Sequence, residues 1–248
     1  MKDAWGRTIE YVRLSLTDAC NFCCPYCRPA EITPQSQTQL LSVDEWMTVL
    51  GAFHHVGVKA VRLTGGEPLL YPYLEELLAR IKKTGWFEDI SMTTNGSLLA
   101  QRAAKLKELG LNRVNISLDS LDSDAFALCV GKANQLDSVL KGIHSAIDAG
   151  FTSVKINTVL SRHWTDDEVR SLLQYVETWP VIWRFIEYMP FQGDAFHGPT
   201  FDEWKAQLER VSGGILTENH SVYGFGPATY YNLPSGKEIG CIFSMSHS

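Results

Sequence analysis

Three cysteines fall within eight positions of this chain, as Cys20-x-x-x-Cys24-x-x-Cys27, and thiolates grouped so tightly select soft metals or iron–sulfur clusters. A structural zinc site asks for four protein ligands, and no second cysteine pair or spaced histidine pair follows to complete one. Cys23 is adjacent to Cys24, an awkward arrangement for joint tetrahedral binding, so Cys23 reads as a small packed residue. A zinc knuckle that recruits it remains the competing reading. Three thiolates on a four-iron cluster leave one iron open, as a cluster that binds a small molecule requires.

Other reactive groups recur along the chain, and the periodic segments say what must position them. β-like runs at Thr8–Leu16, Ala60–Leu63, Ile90–Thr93, Arg113–Leu118, Ser153–Thr158 and Val181–Tyr188 alternate with helical patterns, the signature of βα units and a parallel sheet. Ser42 with Glu45 and Thr165 with Glu168 have the spacing of helix-starting capping boxes, as does Thr200 with Glu203. Gly85, Gly110 and Gly150 stand where helices should end.

The first run leads into the cysteines. The next three end in Gly65-Gly66-Glu67-Pro68, Thr93-Thr94-Asn95 and Ser117-Leu118-Asp119, while the fifth carries Lys155 and Asn157 and the sixth Arg184, Glu187 and Met189. Active sites of βα barrels lie at the C-terminal strand ends, so one site on one rim accounts for all six. Asp119 equally suits a helix cap.

Six units are fewer than a closed eight-stranded barrel needs. The expected fold class is α/β, a partial (β/α)6 barrel over residues 1–190. Residues 191–248 are expected to form a short extension: a helix at Thr200–Val211, then strands Thr229–Leu233 and Glu238–Phe243 in a hairpin around Pro234-Ser235-Gly236. Thr33–Thr38 reads as a solvated loop.

Composition narrows the classes. The 248 residues are 45% hydrophobic with a net charge of −6, unlike the basic excess of a general nucleic-acid binder. No secretory signal opens the chain, and no apolar run approaches the roughly 18 residues of a membrane helix. Six cysteines in a chain this long, three of them clustered, do not read as a disulfide framework. A cytoplasmic, reduced protein is expected, with Cys129 and Cys241 as buried thiols. His54 and His55 end a helix with no ligand-like neighbours in sequence.

The cysteine spacing, with Tyr26 before the last cysteine and a following GGEP, resembles the radical S-adenosylmethionine (SAM) superfamily. More narrowly, GRTIEYVRLSLTDACNFCCPYC, VRLTGGEPLL, TTNGSLL, RVNISLDSLD, VKINTVL and RFIEYMP resemble the GTP 3′,8-cyclases of molybdenum cofactor biosynthesis, from about Gly6 onward. The resemblance implies a [4Fe-4S] cluster on Cys20, Cys24 and Cys27 that chelates SAM and, once reduced, cleaves it to a 5′-deoxyadenosyl radical. That radical removes the C3′ hydrogen of GTP, and the C3′ radical attacks guanine C8.

By motif, Tyr26, Gly66, Ser117 and Met189 fall where the family binds SAM, with Glu67 orienting the SAM amino group or capping its loop. Arg13, Arg62, Thr93, Lys155 and Arg184 fall where it grips the triphosphate and sugar. Arg is suited to phosphate because its planar fork pairs with phosphate oxygens. The bland alternative for each cation is a carboxylate partner, Glu187 or Glu67 for Arg184. Ala60 stands where another basic residue is expected.

The resemblance also implies a flavodoxin- or ferredoxin-like electron donor and a downstream cyclic pyranopterin monophosphate synthase. The family's second three-cysteine set, for a second [4Fe-4S] cluster that contacts guanine, is absent, since the sequence ends at IGCIFSMSHS and Cys241 is alone. The expectation is a truncated chain or a variant lacking that site. A radical SAM enzyme for another substrate, or an inactive iron–sulfur-binding remnant, is the alternative.

Overall fold

The computed structural model describes residues 4, 6, 8–27, 40–161, 163–190, 198–223 and 226–245. In chain order the elements are β1 (Tyr11–Ser15), α1 (Val43–His55), β2 (Ala60–Thr64), a 3-10 turn (Pro68–Leu70), α2 (Leu74–Thr84), β3 (Asp89–Thr94), α3 (Ala103–Glu108), β4 (Arg113–Ser117), α4 (Ser123–Val130), α5 (Leu136–Asp148), β5 (Ser153–Leu160), α6 (Asp166–Thr178), β6 (Ile182–Glu187), α7 (Phe201–Ser212), β7 (Thr217–Asn219), β8 (Thr229–Asn232) and β9 (Glu238–Ile242). All six strands of the βα pattern are present within a few residues of their expected bounds. The loop expected at Thr33–Thr38 lies outside the described residues.

The chain divides into two compact units. The first comprises Met1–Phe22, Ala30–Ile116 and Asp137–Val154, and the second Cys23–Pro29, Ser117–Leu136 and Lys155–Ser248.

In the first unit, β1 to β4 pair in sequence order and in parallel. Parallel strands need helical crossovers. α2 shows why such a helix folds against a sheet: Leu74, Leu77, Leu78 and Ile81 are buried at helical spacing, one apolar stripe on an otherwise charged helix. The strands alternate accordingly. Val61, Leu63, Met92, Val114 and Ile116 are fully buried, while Arg13, Arg62, Ser91 and Thr93 occupy the opposite face of the pleat.

In the second unit, β5 and β6 are parallel, and β9 continues the sheet in parallel beside β6. β8 and β7 follow by antiparallel pairing. The expected hairpin is β8–β9, closed by Leu233 N donating to Lys237 O at 2.8 Å. The short polar strand β7 carries no period-2 apolar signal and was not expected. α6 packs on α7. Trp164 stands edge-on to Trp204 at 6.2 Å, and Arg210 grips Asp166 with two N–H bonds, which holds that carboxyl down at about 2.

All three expected capping boxes form, at Ser42, Thr165 and Thr200. Gly85 is a left-handed helix cap, and Gly110 and Gly150 follow their helices with φ of 99° and 67°. At Thr200 the hydroxyl accepts from Glu203 N while the Glu203 carboxylate accepts from Thr200 N at 2.8 Å. Thr200→Ala removes half of that exchange and should lower the unfolding free energy by about 1 kcal/mol, read as a shifted urea midpoint with an unchanged slope.

Candidate functional site

In the first unit, the route to Cys20 is a backbone seam. Beyond β1 and β2 the two chains stay zipped: Leu16 N donates to Thr64 O at 2.9 Å, Gly66 N to Thr17 O at 2.6 Å and Glu67 N to Ala19 O at 2.7 Å. A Cβ on Gly65 would lie 2.4 Å from Thr17 O, and one on Gly66 only 2.3 Å from Ala19 O. Gly65 also holds φ +141°, a conformation open mainly to glycine. Gly66 therefore has a reason to be glycine that needs no ligand: its own chain passes too close for a side chain.

Glu67 is fully buried. Its carboxylate accepts from Leu69 N at 3.0 Å, Thr94 Oγ1 at 2.7 Å and Asn95 N at 2.7 Å. Burial pushes its pKa up, and these bonds pull against that. Of its two expected roles, the local cap is the one these bonds display. Asn95 in turn reaches the cysteine. Its Nδ2 donates to Asn21 Oδ1 at 2.8 Å and faces Cys20 Sγ at 3.9 Å. Phe22 N also donates to Cys20 Sγ, at 3.5 Å.

Arg13 and Arg62 are lateral partners, and Arg62 is registered with Ser91, so both arginines and Thr93 share one face of this unit's sheet. Arg62 is half-buried, donates from Nε to Ser91 Oγ at 3.3 Å and lies 5.3 Å over the Tyr11 ring. Burial lowers its pKa. Among the described residues, neither Arg13 nor Arg62 has a carboxylate partner. Arg113, on the same face, differs: its guanidinium is paired with Asp89. Asn115 Nδ2 donates to Thr93 Oγ1 at 3.5 Å.

In the second unit, Asp119 is the anchor of the cysteine loop. Its Oδ2 accepts from Tyr26 OH at 2.6 Å and its Oδ1 from Val159 N at 2.8 Å. The helix cap that the sequence offered for Asp119 belongs to Asp122, which accepts from Asp124 N and Ala125 N. Asp122 stands immediately before the helix, and that position was the readable signal. Burial raises the Asp119 carboxyl to about 6 and drives the Tyr26 phenol well above its ordinary value. The loop is also held from α4: Cys23 N donates to Val130 O at 2.9 Å, and a Cβ on Gly131 would lie 2.5 Å from Cys23 O. Cys23 is exposed, which corrects its reading as a packed residue: the backbone contact with α4 is what holds it.

Leu118 N donates to Asn157 O, and Thr158 Oγ1 donates to Leu118 O while accepting from Trp183 Nε1. Lys155 and Arg184 are 2% and 4% exposed. Lys155 Nζ donates to Tyr223 O and lies 5.5 Å from the Tyr223 ring centroid. Arg184 donates from Nε and Nη2 to Asn157 Oδ1 at 3.0 and 2.7 Å. Arg184 lies over Gly240 of β9, where a Cβ would come within 2.8 Å of its Cγ. The expected alternative of an Arg184–Glu187 pair is disfavoured by the pleat, which puts residues three apart on opposite faces. Glu187 Oε2 accepts from Met245 N.

Ser117 ends β4 half-buried, and Met189 is exposed. Cys241 is a buried thiol pushed up to about 12, whereas Cys129 is only partly buried. His54 stacks on Trp86 at 5.5 Å. None of the six cysteines is in a disulfide. Among the described residues, no three Cys, His, Asp or Glu side chains gather around a point suited to one metal ion, and no helix is long and apolar enough to cross a membrane.

The sequence profile of the Radical SAM superfamily matches residues 14–176. A GTP 3′,8-cyclase from Pelotomaculum thermopropionicum is 39% identical over 99% of this chain and 77% of its own length. GTP 3′,8-cyclase 2 from Pseudomonas aeruginosa is 40% identical over 93% of this chain and 70% of its own. The chain belongs to the GTP 3′,8-cyclase family of the radical SAM superfamily. Among solved structures, Streptococcus suis SuiB bound to S-adenosylmethionine is similar, with a TM-score of 0.64 at 19% identity, over 83% of this chain and 46% of that one. Methylornithine synthase is similar with a TM-score of 0.62 at 17% identity, over 83% of this chain and 62% of that one. These likenesses show the fold, an α/β architecture with mainly parallel strand pairing, as the sequence led us to expect.

For this family member, the buried Asp119 gives a pH test. Its folded-state pKa of about 6 lies above the ordinary 3.8, so the unfolded chain loses the proton first and stability falls as pH rises between those values. In Asp119→Asn the amide can accept from Val159 N and donate to Tyr26, whose hydroxyl is able to reverse. The stability gained by this variant, from urea unfolding of metal-free protein, should grow from near zero at about pH 4 to about 3 kcal/mol by about pH 7. A pH-independent difference would contradict the assignment.

Proposed function

We propose that this chain is a GTP 3′,8-cyclase acting in molybdenum cofactor biosynthesis, with a [4Fe-4S] cluster on Cys20, Cys24 and Cys27, SAM as co-substrate and GTP as substrate. The observation that carries the reading is identity of 36–40% to GTP 3′,8-cyclases across nearly the whole chain. The donor set fits the cluster: three thiols in one loop, outside any disulfide and each at least partly exposed, with soft-ligand chemistry. When bound, cluster and SAM supply the 5′-deoxyadenosyl radical that takes hydrogen from the ribose, and the protein's part is binding, orientation and shielding.

The chain's own residues divide accordingly. Glu67 holds the glycine turn, whose close backbone presents Gly66 to SAM. Tyr26 offers its ring while Asp119 fixes its hydroxyl. Ser117 supplies a hydroxyl and Met189 a soft apolar contact. Arg13, Arg62, Thr93, Lys155 and Arg184 take the triphosphate and sugar. Residues 1–190 carry the SAM half and 191–248 extend it. A flavodoxin- or ferredoxin-like donor supplies the electron in the cytoplasm, and a cyclic pyranopterin monophosphate synthase consumes the product.

Anaerobic reconstitution followed by reduction should yield an iron–sulfide chromophore, and SAM should then give 5′-deoxyadenosine. Zinc in place of iron, or a loaded cluster with no SAM cleavage, would overturn the radical SAM reading. For the substrate, Lys155→Ala and Arg184→Ala should each weaken GTP binding roughly tenfold or more, the scale of a lost charge-assisted hydrogen bond, with SAM affinity retained. GTP affinity that survives both changes would move the proposal to another substrate.

A further inference from the structure

We infer that Asn95 is a positioning residue for Cys20: its side-chain amide holds this cysteine's sulfur and thereby raises the reduction potential of the cluster that the sulfur ligates. The inference rests on the cluster assignment above and adds a residue to it.

The orientation of the Asn95 amide is fixed by Ser97. Asn95 Oδ1 accepts from Ser97 N at 3.0 Å and from Ser97 Oγ at 2.7 Å. Turning the amide over would point its NH2 at the Ser97 N–H, donor against donor, so the oxygen side is fixed. The other side then carries both hydrogens of Nδ2. One goes to Asn21 Oδ1 at 2.8 Å, and the remaining one faces Cys20 Sγ at 3.9 Å. Asn21 is locked in turn, because its own Nδ2 donates to Ser97 Oγ at 2.9 Å. Asn95, Asn21 and Ser97 therefore close a ring in which each side chain fixes the next. The backbone beneath is fixed too, since Asn95 N donates to the buried Glu67 carboxylate at 2.7 Å.

Cys20 thus receives a side-chain N–H in addition to the backbone Phe22 N–H at 3.5 Å. Hydrogen bonds to ligand sulfurs are among the features that set iron–sulfur potentials. A donor aimed at a thiolate stabilises the reduced, more negative cluster more than the oxidised one. An ionised sulfur, with its full charge, is the stronger acceptor. Other members of the ring are replaceable without touching the cysteine, which makes the role testable.

The test is a redox titration followed by electron paramagnetic resonance on reconstituted protein without SAM. Asn95→Asp keeps the shape but replaces the two donors with a repelling oxygen, and Asn95→Leu removes polarity altogether. Each should lower the ratio of reduced to oxidised cluster at a fixed poise about tenfold, equivalent to about 59 mV for a one-electron couple. Ser97→Ala removes one of the two donors to Asn95 Oδ1 and the acceptor of Asn21 Nδ2, but it keeps the Ser97 N–H that orients the amide, so it should shift the ratio in the same direction by much less. Unchanged potentials in fully loaded Asn95 variants would overturn the proposal. If one Asn95 variant loses the cluster, the other decides, and a parental potential there overturns the proposal as well. Parent protein that forms no [4Fe-4S] cluster would instead sink the underlying assignment.

Discussion

Two stretches of backbone, residues 17–19 and 65–67, run so close that no side chain fits between them. Cβ atoms at 65 and 66 would sit 2.4 and 2.3 Å from the carbonyl oxygens opposite. Most of the first unit's chemistry depends on that approach. The seam extends the β1–β2 ladder beyond the strand ends and delivers Cys20 at a defined place. It also turns Glu67 inward, where its carboxylate, buried and bonded three times, captures the end of β3. A glycine pair, one acid and the amide of Asn95 thereby convert the register of two parallel strands into the position of one sulfur atom.

The second unit solves the corresponding problem with a different bond. Asp119 holds Tyr26 and the backbone of β5 at once, at the cost of keeping a carboxyl in an apolar setting. Gly131 lets the Cys23 carbonyl settle against α4. Neither unit shapes its part of the cysteine loop by core packing alone. In both, buried polar groups with every partner in place fix it, and such groups define one arrangement because the alternatives leave them unpaired.

Much of this was legible from the residues. Strand bounds followed from apolar periodicity, and the capping boxes at Ser42, Thr165 and Thr200 were readable because their chemistry is local. The hairpin around Pro234-Ser235-Gly236 was readable for the same reason. The anchor role of Asp119 was not, since it depends on Tyr26 and Val159, 93 and 40 positions away. The parallel pairing of β9 with β6 was hidden likewise, because a hairpin motif does not say which neighbour it joins. Asn95 was visible only as a polar residue at a strand end. The ring that orients it closes through Asn21, 74 positions earlier.

That parallel pairing gives the C-terminal stretch a meaning beyond an appendage. Because β9 lies along β6, the strand carrying Arg184 is an interior strand whose N–H and C=O groups are answered on both sides. Without residues 229–242 it would become a margin, with the side chains of Trp183 and Phe185 beside a row of unanswered peptide groups, the kind of surface on which a second chain adds itself. The segment that supplies Gly240 beneath Arg184 is thus also what keeps the sheet from acting as a template.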